Sequence, residues 1–379
     1  MKRGLLGFAV LLAFVLCACA NTASQNSGQP EITPESEADS VEETGGDVTM
    51  AEAQFDPTAA TRVSPENEYY IFPLSDEVTR EHVYYRNRYG IEMAGDLYIA
   101  KSADRSMQYP ALVIGPPFGG VKEQGPGVYA NQLAQRGYVV LTFDPSYHGY
   151  SGGYPRMTGS TDIYAEDFSA GVDFLGVQPF VDREKIGVIG ICGSGGFALS
   201  AAAQDSRIKA VATSVMYDIS SFGNNATGEA RQQQLEALSN QRWLDFESGA
   251  PSFTPHYPEQ PLDEIPDNLE GNDKEFFQFY ATRRGWHPNA LGNVTDTSML
   301  SLMNFPSLAH IDEISPRPIL FVVGENAHSL AFSETAYANA HDPKEIYSVP
   351  DAIHIDLYDD VTKIPFDKLD TFFKEAFQN

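Results

Sequence analysis

The sequence of 379 residues is short of positive charge. It carries 25 Lys and Arg residues against 52 Asp and Glu residues, which gives a formal net charge of −27. Proteins that bind nucleic acid neutralise phosphates with clustered cations, so this balance argues against nucleic acid as a partner. The hydrophobic fraction of 42% and the charged fraction of 20% are typical of a globular protein and exclude a chain that is disordered throughout.

The apolar run at the amino terminus is too short for a permanent membrane span. Residues 5–16 are apolar and follow two basic residues, whereas a spanning helix needs about 20 apolar residues. This is the pattern of an export signal. The run ends in Leu16-Cys17-Ala18-Cys19, which resembles the bacterial lipobox. We therefore predict a signal peptide over residues 1–18, lipidation of Cys19, and an exported protein held at the cell membrane or outer membrane by its acyl chains.

Cysteine is scarce as well, with three residues in the whole sequence. Cys17 would leave with the signal peptide and Cys19 would be acylated, so only Cys192 would remain in the mature domain. This excludes an intramolecular disulfide there. A free thiol in an exported protein is an oxidation liability, which favours a functional use of Cys192.

The segment after Cys19 has almost no large apolar side chains. Residues 20–61 contain nine acidic residues and no Lys or Arg. Such a segment cannot bury enough surface to fold, and its own charge extends it. We predict a disordered acidic tether over residues 19–66, followed by one folded domain over residues 67–379.

In the folded domain, short apolar runs alternate with helical patterns. Strands are predicted at residues 82–89, 91–100, 111–115, 138–143, 185–190, 208–216, 318–323 and 344–349, and helices at 129–136, 161–176, 193–204, 334–340 and 366–377. The first two strands form a hairpin, and the alternation that follows indicates an α/β fold with a mostly parallel, doubly wound sheet. Residues 219–300 contain many aromatic residues but no clear strand. We interpret them as a helical cap inserted over the carboxyl edge of the sheet, where ligands bind in open α/β folds.

The sequence Gly-Ile-Cys-Gly-Ser-Gly-Gly at residues 190–196 lies between a predicted strand and an Ala-rich helix. A strand, a tight turn and a helix form an elbow that exposes a nucleophile, and the elbow needs small residues two positions before and after it. Gly190 and Ser194 meet this need around Cys192. The following helix is expected to lower the pKa of the Cys192 thiol, and the amide of Gly193 to act as an oxyanion donor.

Three other interpretations of these residues are open. Ser151 fits the letters G-x-S-x-G but is followed by Tyr-Pro and no helix. Ser194 would lie a turn past the end of the strand, where it could line the site or serve as the nucleophile. Cys192 could also be a small buried thiol that only packs a glycine-rich turn.

A nucleophile of this type needs a histidine base and an acid that orients it. Where the nucleophile sits at such an elbow, the histidine comes last, and His354 follows the final predicted strand. His328 follows the preceding strand and could line the site. The acid is open between Asp218, at the end of one strand, and Glu325, in the turn after the next.

The loop after the third predicted strand reads Gly-Pro-Pro-Phe-Gly-Gly-Val-Lys-Glu-Gln at residues 115–124. A loop in this place supplies the second oxyanion amide, for which Phe118 and Gly119 are the candidates. Glu123 could pair with Lys122 or could steer the thiol.

Five segments taken together carry a family resemblance: GPPFGGVKEQ, FDPSYHGYSGG, GICGSGG, FPSLAHIDEISPRPILFVVGENAHS and VPDAIHIDLYD. In this order they resemble an α/β-hydrolase family related to dienelactone hydrolases, over about residues 80–379. The resemblance implies the α/β-hydrolase fold, a Cys or Ser elbow at Cys192, a late histidine at His354 and no metal. The chain departs from the family pattern at Pro116, where relatives commonly carry His.

From these residues we expect an enzyme that hydrolyses a carboxylic ester, lactone or thioester through an acyl-Cys192 intermediate with a Cys-His-acid triad. The partner is then a small ester-type molecule, and no cofactor is needed. Two alternatives use the same residues differently. The thiol could pass its acyl group to an acceptor other than water, or the fold could be a non-catalytic lipoprotein that binds a ligand under its cap. A redox sensor is disfavoured because no resolving cysteine is present.

Overall fold

The computed structural model describes residues 69–221 and 226–378. The predicted signal peptide, Cys19, the whole predicted tether and the first two residues of the predicted domain lie outside the described residues. Within the described part of the chain, no helix has both the length and the apolar character that crossing a membrane requires.

Eight strands form one sheet in the order β1-β2-β4-β3-β5-β6-β7-β8. Their bounds are β1 Val78–Arg86, β2 Glu92–Ala100, β3 Tyr109–Gly115, β4 Val139–Phe143, β5 Val181–Ile191, β6 Ala210–Ser214, β7 Ile319–Gly324 and β8 Lys344–Val349. β2 pairs antiparallel with β1 and β4, and the strands from β4 to β8 are parallel. Each predicted strand is present, with ends shifted by up to four residues, and the predicted α/β fold is confirmed.

The parallel strands are covered on both faces. Every residue of β4, β6 and β7 is buried, as expected for runs rich in Val, Ile and Leu in a sheet covered by helices. The helices of the described chain are α1 Gly125–Ala134, α2 Thr161–Gly176, α3 Ser194–Gln204, α4 Gly228–Ser248, α5 Gly271–Tyr280, α6 Met299–Leu302, α7 Leu330–Asn339, α8 Asp356–Asp359 and α9 Phe366–Ala376.

The predicted insertion lies between β6 and β7 and contains α4, α5 and α6. Its aromatic residues divide into two groups. Trp243 and Phe246 on α4 are 70% and 88% exposed, whereas Phe279 and Tyr280 on α5 are buried. α5 therefore packs against the core, as does Leu302 at the end of α6.

Candidate active site

Cys192 occupies a sharp turn between β5 and α3. Its backbone φ angle of 53° is in the left-handed region, which residues other than glycine rarely adopt. Backbone strain of this kind is concentrated at functional sites. The turn is held by hydrogen bonds from the Cys192 amide to the Ser214 carbonyl (2.9 Å) and from the Gly195 amide to the Cys192 carbonyl (2.9 Å). A Cβ at Gly190 would collide with the backbone of Ser194. These are the features of a nucleophile elbow.

Two backbone amides converge on the Cys192 sulfur. Those of Gly193 and Phe118 lie close enough to it to lower the pKa of the thiol, and they come from different segments of the chain. The two segments are in close contact, because a Cβ on Gly193 would lie 2.7 Å from the Cβ of Phe118. Gly119, the other predicted donor, has a φ of 78° and turns the loop next to Phe118. A pair of amides in this position can hold the oxygen of a tetrahedral intermediate.

Burial controls the charge state of Cys192, which is 6% exposed. Loss of hydration raises the pKa of the thiol to about 11, although hydrogen bonds from Tyr358, Gly193 and Phe118 lower it in part. The expectation that the helix terminus leaves the thiol with a lowered pKa is therefore wrong, because desolvation outweighs the amides. The side chain of Cys192 is therefore a neutral thiol at neutral pH.

His354 lies between β8 and α8 and is fully buried. Its Nδ1 is 2.7 Å from Ser329 Oγ, and its Nε2 is 2.9 Å from Tyr358 Oη. Burial, with a smaller contribution from neighbouring His328, holds the pKa of His354 well below its ordinary value. The ring is thus a neutral imidazole that can accept a proton.

The hydroxyl of Tyr358 connects the two predicted catalytic groups. It hydrogen bonds to His354 Nε2 at 2.9 Å, and it lies close enough to the Cys192 thiol and to the Tyr280 hydroxyl of α5 to lower the pKa of both groups. Sequence reasoning missed Tyr358. The sequence signal that could have indicated Tyr358 is its position four residues after His354, a spacing that places two side chains on the same side of a helical turn.

Neither predicted carboxylate is brought to His354. Asp218 accepts hydrogen bonds from the Ser220 amide (3.1 Å) and hydroxyl, and so fixes the loop after β6. Glu325 is exposed and accepts a hydrogen bond from the Asp351 amide (3.1 Å). The structure places Ser329, the residue before α7, in the position that we predicted for one of these acids.

His328 lies between His354 and the insertion and contacts both. Its ring centroid is 4.5 Å from that of His354, and its Nδ1 is 3.5 Å from Glu275 Oε2 on α5. Phe276, also on α5, places its ring 5.6 Å from that of His354. The insertion therefore supplies part of the wall of the site.

The remaining candidates have structural partners. Ser194 Oγ donates a hydrogen bond to the Pro116 carbonyl, and Ser151 Oγ donates one to the Asp144 carbonyl (2.6 Å). Glu123 pairs with Lys122. Among the residues that the structure describes, no group of three or more His, Cys, Asp or Glu side chains is arranged to hold a metal ion.

A buried ion cluster ties the Phe118 loop to the end of β4. Lys122 is 3% exposed, pairs with Glu123, and places its Nζ 3.4 Å from Asp144 Oδ2. Its backbone amide also donates to Asp144 Oδ1 at 2.8 Å. Burial, and then the charge of Asp144, raise the pKa of Glu123 to about 8. The single positive charge of Lys122 therefore cannot neutralise both Glu123 and Asp144 when both are ionised.

Replacing Lys122 with methionine should destabilise the fold by about 3 to 5 kcal/mol, because Asp144 and Glu123 would be left buried without a cation. Urea unfolding followed by circular dichroism measures the change. Lys209→Met removes a surface partner of Glu184 and should cost less than about 1 kcal/mol. Equal losses of unfolding free energy in the two variants would show that the buried ion cluster stabilises the fold no more than a surface ion pair does.

The raised thiol pKa predicts slow alkylation at neutral pH. The rate at which iodoacetamide modifies the Cys192 peptide of the native protein should rise about tenfold per pH unit toward pH 11, because only the thiolate reacts. In the urea-denatured protein the same peptide should titrate near the ordinary value of about 8.5. Peptide mapping by mass spectrometry separates this site from Cys17 and Cys19. A native plateau below pH 8 would contradict the burial argument.

Comparisons with known proteins agree with this geometry. Residues 95–217 match the model of the dienelactone hydrolase family. The chain is 52% identical over 316 residues to the uncharacterized protein PA2218 of Pseudomonas aeruginosa, covering 80% of this chain and 82% of that protein. The crystal structure of PA2218 superimposes with a TM-score of 0.78 over 83% of this chain and 99% of that one, at 49% identity.

Some fungal relatives of lower sequence identity are named after an enzyme activity. Thiohydrolase aneE of Aspergillus aculeatus is 27% identical over 66% of this chain and 77% of its own length. Polyketide transferase grgF of a Penicillium species is 27% identical over 74% of this chain and 92% of its own length. The crystal structure of the α/β hydrolase GrgF has a TM-score of 0.63 at 23% identity and covers 79% of this chain and all of that one, which supports the fold. The chain belongs to the dienelactone hydrolase family and is an α/β-hydrolase enzyme that acts on ester bonds.

Proposed function

We propose that this enzyme cleaves acyl bonds through a covalent acyl-Cys192 intermediate. The Cys192 sulfur attacks the carbonyl carbon while its proton passes to His354, and the carbonyl oxygen becomes an oxyanion. The leaving group departs with a proton from His354, and water then releases the acid by the same steps in reverse. The observation that carries the proposal is the position of Cys192 on a strained elbow that is in close contact with the Phe118 loop, whose amide, like that of Gly193, lowers the pKa of the thiol.

The neutral resting states of both groups fit this chemistry. A thiol with a pKa of about 11 does not attack as a free thiolate at pH 7, so proton removal has to accompany attack. His354, whose pKa is lowered, is unprotonated and ready to act as the base. General acid-base catalysis contributes about 10² to 10⁴ in rate, and each oxyanion donor about 10² to 10³.

The surroundings of Cys192 favour an apolar acyl group. Four tyrosines lie close enough for a thiolate there to raise their pKa: Tyr217, Tyr257, Tyr280 and Tyr358. Tyr257 and Tyr280 belong to the insertion and stack with ring centroids 5.2 Å apart. We propose esters or thioesters of apolar acids as substrates, in line with the name of the thiohydrolase relative.

Acyl transfer is a second candidate on the same residues. Cys192 and His354 are 6% and 0% exposed, so an acyl-enzyme would be shielded from bulk water and a bound acceptor could compete with it. The relative grgF is named a polyketide transferase, which is in line with this second candidate.

The function is tested with a panel of aryl esters, lactones and aryl thioesters. We expect turnover of esters or thioesters with an initial burst of about one leaving group per enzyme, because an acyl-enzyme shielded from bulk water should be hydrolysed more slowly than it forms. Adding an alcohol, thiol or amine acceptor then distinguishes the two candidates, since a transferase diverts product from the free acid to the acyl-acceptor. Folded protein that turns over no member of the panel and gives no burst would overturn the proposal.

We also propose that the protein is an exported lipoprotein, on the basis of the Leu16 to Cys19 motif. Cys19→Ser should shift the protein from the membrane fraction to the soluble fraction. An unchanged distribution would contradict lipid anchoring at Cys19.

A further inference from the structure

We propose that Glu275 and His328 form a subsite that binds a positively charged group on the leaving-group side of the substrate. This inference rests on the proposed acyl-Cys192 chemistry and names a substrate class for it, namely esters or thioesters of cationic alcohols or thiols. Glu275 lies on α5 of the insertion, and His328 lies between β7 and α7. His328 Nδ1 and Glu275 Oε2 are 3.5 Å apart.

The polar atoms of this pair are buried and unpartnered. Among the residues that the structure describes, none forms a hydrogen bond with Glu275 Oε2 or with either ring nitrogen of His328, and the 3.5 Å contact between them is not a hydrogen bond. Buried polar atoms are costly to leave unpaired, and native proteins leave few of them so. Three such atoms on two adjoining side chains therefore mark a place for a polar group of a ligand.

The pair lies beside the group that protonates the leaving group. The ring centroids of His328 and His354 are 4.5 Å apart, and in the proposed mechanism His354 gives its proton to the leaving group. A leaving group at His354 can therefore extend along His328 to Glu275. Tyr280, which we place beside the acyl group, is five residues further along α5, or about 7.5 Å along the helix axis. The two ends of the substrate thus contact different parts of α5.

The side chains around the pair suit a cation. Glu275 supplies a carboxylate, and the ring centroids of Phe276 and Tyr217 lie 5.3 and 5.7 Å from that of His328. Aromatic faces attract a cation within about 6 Å, and they do so more strongly where water is excluded. Tyr217 is also linked to the elbow, because its amide donates a hydrogen bond of 2.8 Å to the Cys192 carbonyl. A carboxylate and aromatic rings together favour a positive charge over a neutral group of the same shape.

The test compares benzoylcholine with 3,3-dimethylbutyl benzoate. These two esters share the benzoyl group and the shape of the leaving group, and they differ in one positive charge. Chromatography of released benzoate gives kcat/KM of the full-length protein for each ester. We expect a preference of about tenfold or more for benzoylcholine. Equal values, or a preference for the neutral ester, would overturn the subsite.

Glu275→Gln tests whether the preference comes from this carboxylate. The substitution removes the charge and nearly keeps the shape, so the ratio of the two kcat/KM values should fall to near one. Glu270→Gln is the matched control, because it removes an exposed carboxylate just before α5. Its ratio should stay within about twofold of wild type. A preference that survives in Glu275→Gln, with a native circular dichroism spectrum, would overturn the assignment to Glu275.

Binding of choline tests the subsite without catalysis. Saturation-transfer difference NMR should show choline bound to the wild type and to Glu270→Gln but not to Glu275→Gln, and no binding to the wild type would overturn the subsite. Turnover of both esters at equal rates, lost in Cys192→Ala, would retain the acyl-enzyme and remove only the subsite. Glu275-dependent binding of choline by a protein that cleaves no ester would retain the subsite and remove the proposed function.

Discussion

Replacing Cys192 with alanine is expected to lower kcat by about 10⁴-fold or more, because it removes the sulfur that forms the acyl intermediate in the proposed mechanism. The substitution is small and leaves the hydrogen bonds of the elbow backbone intact, so the thermal unfolding midpoint should change by only a few degrees. Steady-state rates on the best substrate of the panel measure the loss.

The matched variant for this prediction is Ser194→Ala. Ser194 is the other hydroxyl or thiol at the elbow, but it donates to the Pro116 carbonyl and so fixes the neighbouring loop. We expect it to keep kcat within about tenfold of wild type. The account fails if Ser194→Ala is the inactive variant and Cys192→Ala is active.

The second large effect is expected for His354→Ala, which should lower kcat/KM by about 10² to 10⁴. Removal of the ring leaves the thiol, with its raised pKa, without a group that can take its proton. Rates are compared at one pH near neutrality, where His354 of the wild type is unprotonated because its pKa is lowered.

Glu325→Gln provides the control for His354. Its carboxylate is exposed and directed to the Asp351 amide, so the variant should differ from wild type by less than about twofold. A loss as large as that of His354→Ala would show that Glu325 orients the base, as one of the two sequence predictions held.

The sequence predicts those parts of the site whose conformation is determined by residues close together in the chain. The strand, turn and helix around Cys192 follow from a Val- and Ile-rich run, a glycine-rich turn and an Ala-rich run, and the helix at residues 161–176 was predicted with its observed ends. The sequence also predicts His354, because its place after the last strand can be read from the order of residues along the chain. Fold class and elbow could therefore be read without coordinates.

The parts that the sequence did not reveal depend on contacts between distant segments. Ser329 and His354 are 25 residues apart, and nothing in either local pattern indicates a bond between them. The position of Asp218 and Glu325 after strands predicts that one of them orients the histidine, but hydrogen bonds from Ser220 and Asp351 hold both carboxylates elsewhere. The pKa of Cys192 was misjudged because helix position is visible in a sequence, whereas depth of burial is not.

The central claim is that the acyl group becomes bound to the sulfur of Cys192. The most direct test is to mix the full-length enzyme with an aryl ester, quench it in acid within the burst, and map the modified peptide by mass spectrometry. We predict one acyl group per chain on the peptide that contains Cys192, at a stoichiometry close to the burst amplitude. A burst without a covalent adduct, or an adduct on Ser194, would contradict the mechanism.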